Sequence, residues 1–123
     1  MKFRSDMTTT IELELPKISL NDWYAGKHWT ERKQIKDAYK IKIGSIVKEK
    51  FDAPCTVTYR FEFKTRPLDC SNCVAMVKMI EDCLFPDDGV KIVKQITISS
   101  VKSNRELVTV TIIPEILNRS IGG

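Results

Sequence analysis

The sequence predicts an α+β domain: a mixed β-sheet packed by two helices, in the order β-α-β-α-β-β. Three observations lead there. Residues 55–64 alternate between apolar and polar side chains, the period of a half-buried strand. Two stretches, near residues 30–49 and 71–84, carry apolar residues at helical spacing. Two further alternating runs, near 91–100 and 107–113, are separated by turn residues. Helices and strands in this mixture suit a two-layer α+β arrangement.

Each element has a local reason. From Thr8 to Leu15, Ile11, Leu13 and Leu15 alternate with Glu12 and Glu14, and Pro16 ends the strand. Lys17 to Trp29 shows no period and contains Asn21, Asp22 and Gly26, so it reads as a loop. Thr30 is the expected N-cap of a helix running to about Glu49. Its apolar stripe is Ile35, Tyr39, Ile43, Ile46 and Val47, beside a basic stripe of Lys33, Lys36 and Lys40. Gly44 weakens its second half. Pro54 marks a boundary. Val57, Tyr59, Phe61 and Phe63 then form the apolar face of the next strand. In the helix from Ser71 to Leu84, Cys73, Val77, Ile80 and Leu84 share one face. Met76, Met79 and Cys83 lie on an adjacent one, and Ser71, Ala75, Lys78 and Asp82 lie opposite. Lys91–Ser100 and Leu107–Ile113, joined at Ser103-Asn104, read as a hairpin. Residues 1–7 and 115–123 read as frayed tails of a single domain covering 1–123.

Composition narrows the class. A hydrophobic share of 42% with 29% charged residues is that of a globular chain, not a disordered one. No apolar run approaches the length of a membrane span. Met1–Asp6 lacks the apolar core of a signal peptide, and the four cysteines are expected to be reduced thiols in a cytoplasmic protein. The net charge of +4 is concentrated: Tyr24–Lys50 carries eight basic and three acidic residues, a net of +5. Such a segment is either a solvated helix face or a footprint for the phosphates of nucleic acid.

The functional signal is a pair of acidic turns around the second helix. Arg66-Pro67-Leu68-Asp69-Cys70-Ser71-Asn72 precedes it and Leu84-Phe85-Pro86-Asp87-Asp88-Gly89 follows it. Asp69 reads equally as a helix cap, and Asp87-Asp88 as turn residues. Together they also read as oxygen ligands for a hard divalent cation, Mg²⁺ or Mn²⁺. Asp69 and Asp88 are then the ligands and Asp87 a helper. Lys64 and Arg66 stand ready to clamp a phosphate, with Lys27, Arg32, Lys33, Lys36 and Lys40 extending the contact and Asn72 orienting ligands or capping the helix. Trp23, Tyr24 and Trp29 interleave with the first of these cations, either as packing or as stacking surfaces for bases. Cys70-x-x-Cys73 suggests zinc or thiol chemistry, but no second pair follows, and small buried apolar residues are the alternative.

The run Arg66–Asn72, the helix, and Asp87-Asp88-Gly89-Val90 resemble the core of the RusA-type Holliday junction resolvases. The resemblance takes in Leu15-Pro16, Asn21 and the terminal strands, and so most of the chain. It implies a homodimeric, metal-dependent endonuclease that cuts four-way and other branched DNA during phage DNA processing in a bacterial cytoplasm, leaving 5′-phosphate and 3′-hydroxyl ends. The wide apolar arc of the second helix reads equally as deeper burial in the monomer or as a surface for a partner chain; the dimeric habit that the resemblance implies favours the second, with Met76, Met79 and Cys83 at or near the interface. The chain departs from the family pattern twice: Ser71 stands where the family has a second aspartate, and Ala75 where it has a lysine. By that pattern Ser71 would be a neutral, poorer metal donor, and Lys78, one turn beyond Ala75, is either a substitute that reaches back to the site or simply a solvent-facing lysine. The alternative these departures raise is a junction-binding protein of the same fold that has lost catalysis. A third reading is a zinc- or thiol-dependent protein.

Overall fold

The structure, a computed structural model, describes residues 6–25, 28–86 and 89–116. Its strands are β1 (Thr9–Leu13), β2 (Cys55–Phe63), β3 (Val93–Lys102) and β4 (Leu107–Pro114). Its helices are α1 (Leu20–Ala25), α2 (Trp29–Gly44) and α3 (Val74–Leu84), with a single helical turn, α4 (Gly89–Ile92), leading into β3. The sheet order is β1-β4-β2-β3. β2 and β3 run parallel, and the other two pairs are antiparallel. The mixed sheet and the α+β class are as the pattern predicts.

The alternation of β2 becomes a wall of the core. Val57, Tyr59, Phe61 and Phe63 are all buried. Val108, Val110 and Ile112 of β4 and Ile11 and Leu13 of β1 continue the same face, in one cluster with the buried residues of α2 and α3. The other face carries Thr58 opposite Thr111 and Arg60 opposite Thr109, a polar surface. The sheet therefore has helices on one side only.

The expected hairpin at Ser103-Asn104 does not form. β3 and β4 flank β2 and never pair with each other. The β2–α3–β3 crossover takes one side of β2 for a parallel partner, so β4 must pair on the other side. Their separation is two strand spacings, about 10 Å, within the reach of residues 103–106. That connection is fixed to the end of β2. Ser103 N donates to Phe63 O at 2.9 Å, and Lys64 N donates to Glu106 Oε1 at 2.7 Å. Buried Glu62 accepts from Ser103 Oγ at 2.9 Å and Arg105 Nη2 at 2.8 Å. Arg105 also reaches Glu12 of β1 at 3.4 Å.

Other boundaries shift for local reasons. Residues 20–25, read as loop, are helical. Ser19 is the cap, its Oγ accepting from Asp22 N at 3.0 Å, and Trp23 is buried beneath. The α2 cap is His28, not Thr30; its Nδ1 accepts from Thr30 N at 3.3 Å. α2 stops at Gly44, and the chain folds back so that Val47 and Phe51 are buried, with Phe51 N donating to Leu84 O at 2.8 Å. Ala75 is 3% exposed, so the outer stripe of α3 runs through Val74 and not Ala75.

Hydrogen bonds from Arg105 and Ser103 hold the Glu62 carboxyl below its usual range. A depressed carboxyl stabilises the fold above its unfolded value and loses that contribution as pH falls through the folded value. Glu62→Gln is expected to lower the Tm at neutral pH by several degrees. Below pH 4.5, the ordinary glutamate value, its melting curves should converge on those of the wild type. Thermal melts across pH check this.

Candidate active site

The chain between β2 and α3 does not take the shortest path. It lies along β3 before turning into the helix. Ser100 Oγ of β3 donates to Leu68 O, and Cys70 Sγ donates to Ile98 O at 3.4 Å. Asp69 then closes the turn. Its Oδ1 accepts from Asn72 N at 2.9 Å, and its carbonyl accepts from Cys73 N at 3.1 Å. Asn72 passes the order on to α1, with Oδ1 accepting from Asn21 N at 3.1 Å and its carbonyl from Leu20 N at 3.0 Å.

Asp69 thus closes the turn ahead of α3, whose own N-cap, Cys73, makes no side-chain cap bond, and it is also exposed. It keeps acceptor capacity, because a carboxylate offers about four acceptor sites and the turn uses few of them. Ser71, two residues on, is exposed as well, and Lys64 and Arg66 are exposed in the bend just before. The structure brings these four together with Asn72 in one short segment. It adds Lys17, which no sequence pattern marked. Lys17 Nζ donates to Arg66 O and lies 4.9 Å from the centre of the Phe63 ring. The two lysine–loop partners are 49 residues apart in sequence, so only the fold brings them together.

Lys78 lies two turns along α3 from Ser71, exposed on the outer stripe with Asp82. The expected ligands Asp87 and Asp88, and the expected DNA contact Lys27, lie outside the described residues. Among the described residues, no group of three histidine, cysteine, aspartate or glutamate side chains is placed to hold a metal ion.

Where α3 ends, its outer face and β3 border an open groove of about 430 Å³, lined by Glu81, Asp82, Phe85, Pro86 and Val93–Ile96. Glu81 leans inward. Its Oε2 and the Tyr59 hydroxyl are both buried, and neither completes a hydrogen bond of good geometry. Burial holds the Glu81 carboxyl above its usual range, and nearby Asp82 adds to the effect while Tyr59 opposes it. Tyr59 is pushed far up by its own burial.

Three of the four cysteines are poor candidates for chemistry. Burial pushes the thiols of Cys55 and Cys73 up to about 11. Cys83 is also raised, mainly by burial. Thiols held protonated are weak nucleophiles and weak metal ligands. Only Cys70 is exposed.

Met76 and Met79 are 3% and 5% exposed within the single chain. The wide apolar arc of α3 is covered by the protein's own core, which removes the reason for placing them at an interface. Cys83 is half-buried beside Lys36, Lys40 and Asp82. Exposed apolar surface lies elsewhere: Ile41 and Ile46, 73% and 37% exposed, line an open groove of about 470 Å³ with Leu13 and Leu107.

Arg32, Lys33, Lys36 and Lys40 project from α2. They connect to the Asp69 corner through α1, since Arg32 Nη2 donates to Tyr24 O at 3.4 Å and the start of α1 is bonded to Asn72. Lys33 and Asp37 pair at 3.5 Å, both largely exposed, a contact of little energetic weight. His28, the cap of α2, also lies 2.7 Å from Thr30 Oγ1, and its ring centre is 5.9 Å from that of Trp29.

No family model matches the chain, and no curated protein matches it.

The burial of Ala75 predicts that Ala75→Lys destabilises the fold by on the order of 3 kcal/mol, through overpacking and a buried charge. Lys78→Ala should be neutral in the same denaturant titration. A thiol reagent at neutral pH should modify Cys70 rapidly, and Cys55 and Cys73 only when the chain unfolds.

Proposed function

We propose that this protein is a metal-dependent, structure-selective DNA endonuclease of the RusA type, acting on four-way and other branched DNA as a homodimer. The observation that carries the reading is the Asp69 turn. It presents an exposed carboxylate and a hydroxyl, Ser71, in the same segment as exposed Lys64 and Arg66, with Lys17 bonded to the Arg66 carbonyl. Carboxylate and hydroxyl oxygens are the donors a hard divalent cation takes, and basic side chains close by in the chain are the kind that hold a phosphate.

The donors fit Mg²⁺ or Mn²⁺, which take hard oxygen ligands and keep several waters. Asp69 and Ser71 would hold the ion, with Asp88 and Asp87 as the remaining ligands. Bound there, the ion supplies Lewis-acid activation of the scissile phosphate and of an attacking water. The chain's own residues do the rest. Lys64 and Arg66 hold the phosphate, Arg66 with the planar fork suited to two of its oxygens. Asn72 fixes the turn, so Asp69 does not reorganise when substrate arrives. Lys78 on the outer stripe of α3 offers a cation to the developing charge. A dimer brings two such sites to opposed strands of a junction; Ile41 and Ile46 supply the apolar surface for it.

The alternative, a junction-binding protein without catalysis, draws on Ser71 and Ala75. Ser71 contributes no charge, and Ala75 is buried, so no lysine is available at that position.

Cleavage of a synthetic four-way junction with Mg²⁺, against linear duplex, tests the reading. Asp69→Asn keeps an oxygen to close the turn, since asparagine makes the same bond to the backbone two or three residues on, and is expected to abolish cutting while junction affinity stays within about threefold. Wild-type cutting by this variant would remove Asp69 from the site. If the wild type binds but does not cut, and Ser71→Asp gains cutting, the non-catalytic alternative is correct.

A further inference from the structure

Away from the Asp69 corner, one surface combines cations with exposed aromatic rings. It lies where α1 meets the first turns of α2. Tyr24 and Trp29 are 60% and 68% exposed, the most exposed aromatic side chains among the described residues. Trp29 lines an open depression of about 310 Å³ with Arg32, Lys33, Lys36, Asp37 and Lys40. Four cations face one carboxylate there.

The cations are not loosely held. Trp23, 9% exposed, is a fixed platform beneath them. The Arg32 guanidinium lies 5.7 Å from its ring centre and 6.0 Å from that of Tyr24, and Lys36 Nζ lies 6.0 Å from the Trp23 ring. Arg32 also bonds the Tyr24 carbonyl. Arg32 and Lys36 are therefore partly held in place before any ligand binds, which lowers their share of the entropic cost of binding.

A ligand for this surface must supply several negative charges and flat apolar faces at close spacing. An acidic peptide supplies the charge without the rings. A DNA duplex supplies the phosphates, but its bases are stacked inside. A single strand supplies both, and stacking on aromatic side chains tolerates any sequence. We propose that this depression binds unpaired nucleotides of DNA, with a base stacked on Trp29 and Lys33, Lys36 and Lys40 along the phosphates. The choice of DNA rests on the endonuclease reading; the single-stranded character rests on the surface alone. Since α1 joins the depression to Asn72, the substrates favoured are branched DNAs with an unpaired stretch, such as a flap or gap.

The test is fluorescence anisotropy of the full chain with labelled oligothymidine and with a duplex of equal phosphate number, at one salt concentration. Oligothymidine should bind at least about tenfold more tightly. Trp29→Ala should weaken oligothymidine binding by about tenfold and leave duplex binding and the Tm unchanged, whereas Trp29→Phe retains most of the affinity. Tryptophan emission should be quenched on binding in the wild type and not in Trp29→Phe, where only buried Trp23 remains. Equal affinity for both DNAs, no effect of Trp29→Ala, or a polyglutamate peptide competing as well as oligothymidine would each overturn the proposal. Trp29-dependent binding without cleavage of any branched DNA would sink the endonuclease reading and leave this one standing. Asp69-dependent cleavage with a neutral Trp29→Ala would do the reverse.

Discussion

The parallel pairing of β2 with β3 is the constraint from which the other features follow. Parallel neighbours cannot be joined by a tight turn, so the chain must cross over, and α3 is that crossover. The crossover fills one side of β2 with β3 and sends β4 to the other. It also draws residues 64–73 along the helix-bearing face, where Ser100 and Ile98 bond Leu68 and Cys70. The position of the Asp69 turn is a consequence of strand pairing rather than of the turn's own sequence.

That position gives Asp69 its two roles. Its Oδ1 closes the turn that leads into α3, and the next residue of that turn to be fixed, Asn72, docks α1. Its carboxylate is also exposed, in the same segment as exposed Lys64 and Arg66. A carboxylate that uses one bond to close a turn keeps acceptor capacity for a ligand. The Cys73 thiol does not compete for this role, because burial pushes it up to about 11.

Much of the fold was legible because its signals are local. The alternation of Val57, Tyr59, Phe61 and Phe63 needs no knowledge of the partner strands, and the apolar spacing of α3 placed Val77, Ile80 and Leu84 in the core correctly. What was misread depends on distant partners or on side-chain caps. A four-residue link reads the same whether it joins adjacent strands or steps over one, and only the β2–β3 pairing excludes the hairpin. The α1 helix hid in an aperiodic stretch, although Ser19 followed three residues later by Asp22 is a helix-start signature. The apolar arc of α3 reads equally as monomer core or as partner surface, and the structure bears out the first for Met76 and Met79; only the resemblance favoured the second. Of the site, the Asp69 segment was readable from residue types and spacing, while Lys17 was not, since its approach to Arg66 exists only in the folded chain. Asp87 and Asp88, which the sequence marked most plainly, lie outside the described residues.

The central claim is that a divalent ion binds at the Asp69 turn, and a Mn²⁺ titration followed by paramagnetic broadening of backbone amide signals addresses it most directly. The account predicts that the amides of Cys70, Ser71 and Asn72 broaden first, that Arg60 on the open sheet face is unaffected, and that Asp69→Asn abolishes the broadening without shifting the fold's other resonances. Broadening that leaves these three amides untouched at millimolar Mn²⁺, or that persists unchanged in Asp69→Asn, would contradict it.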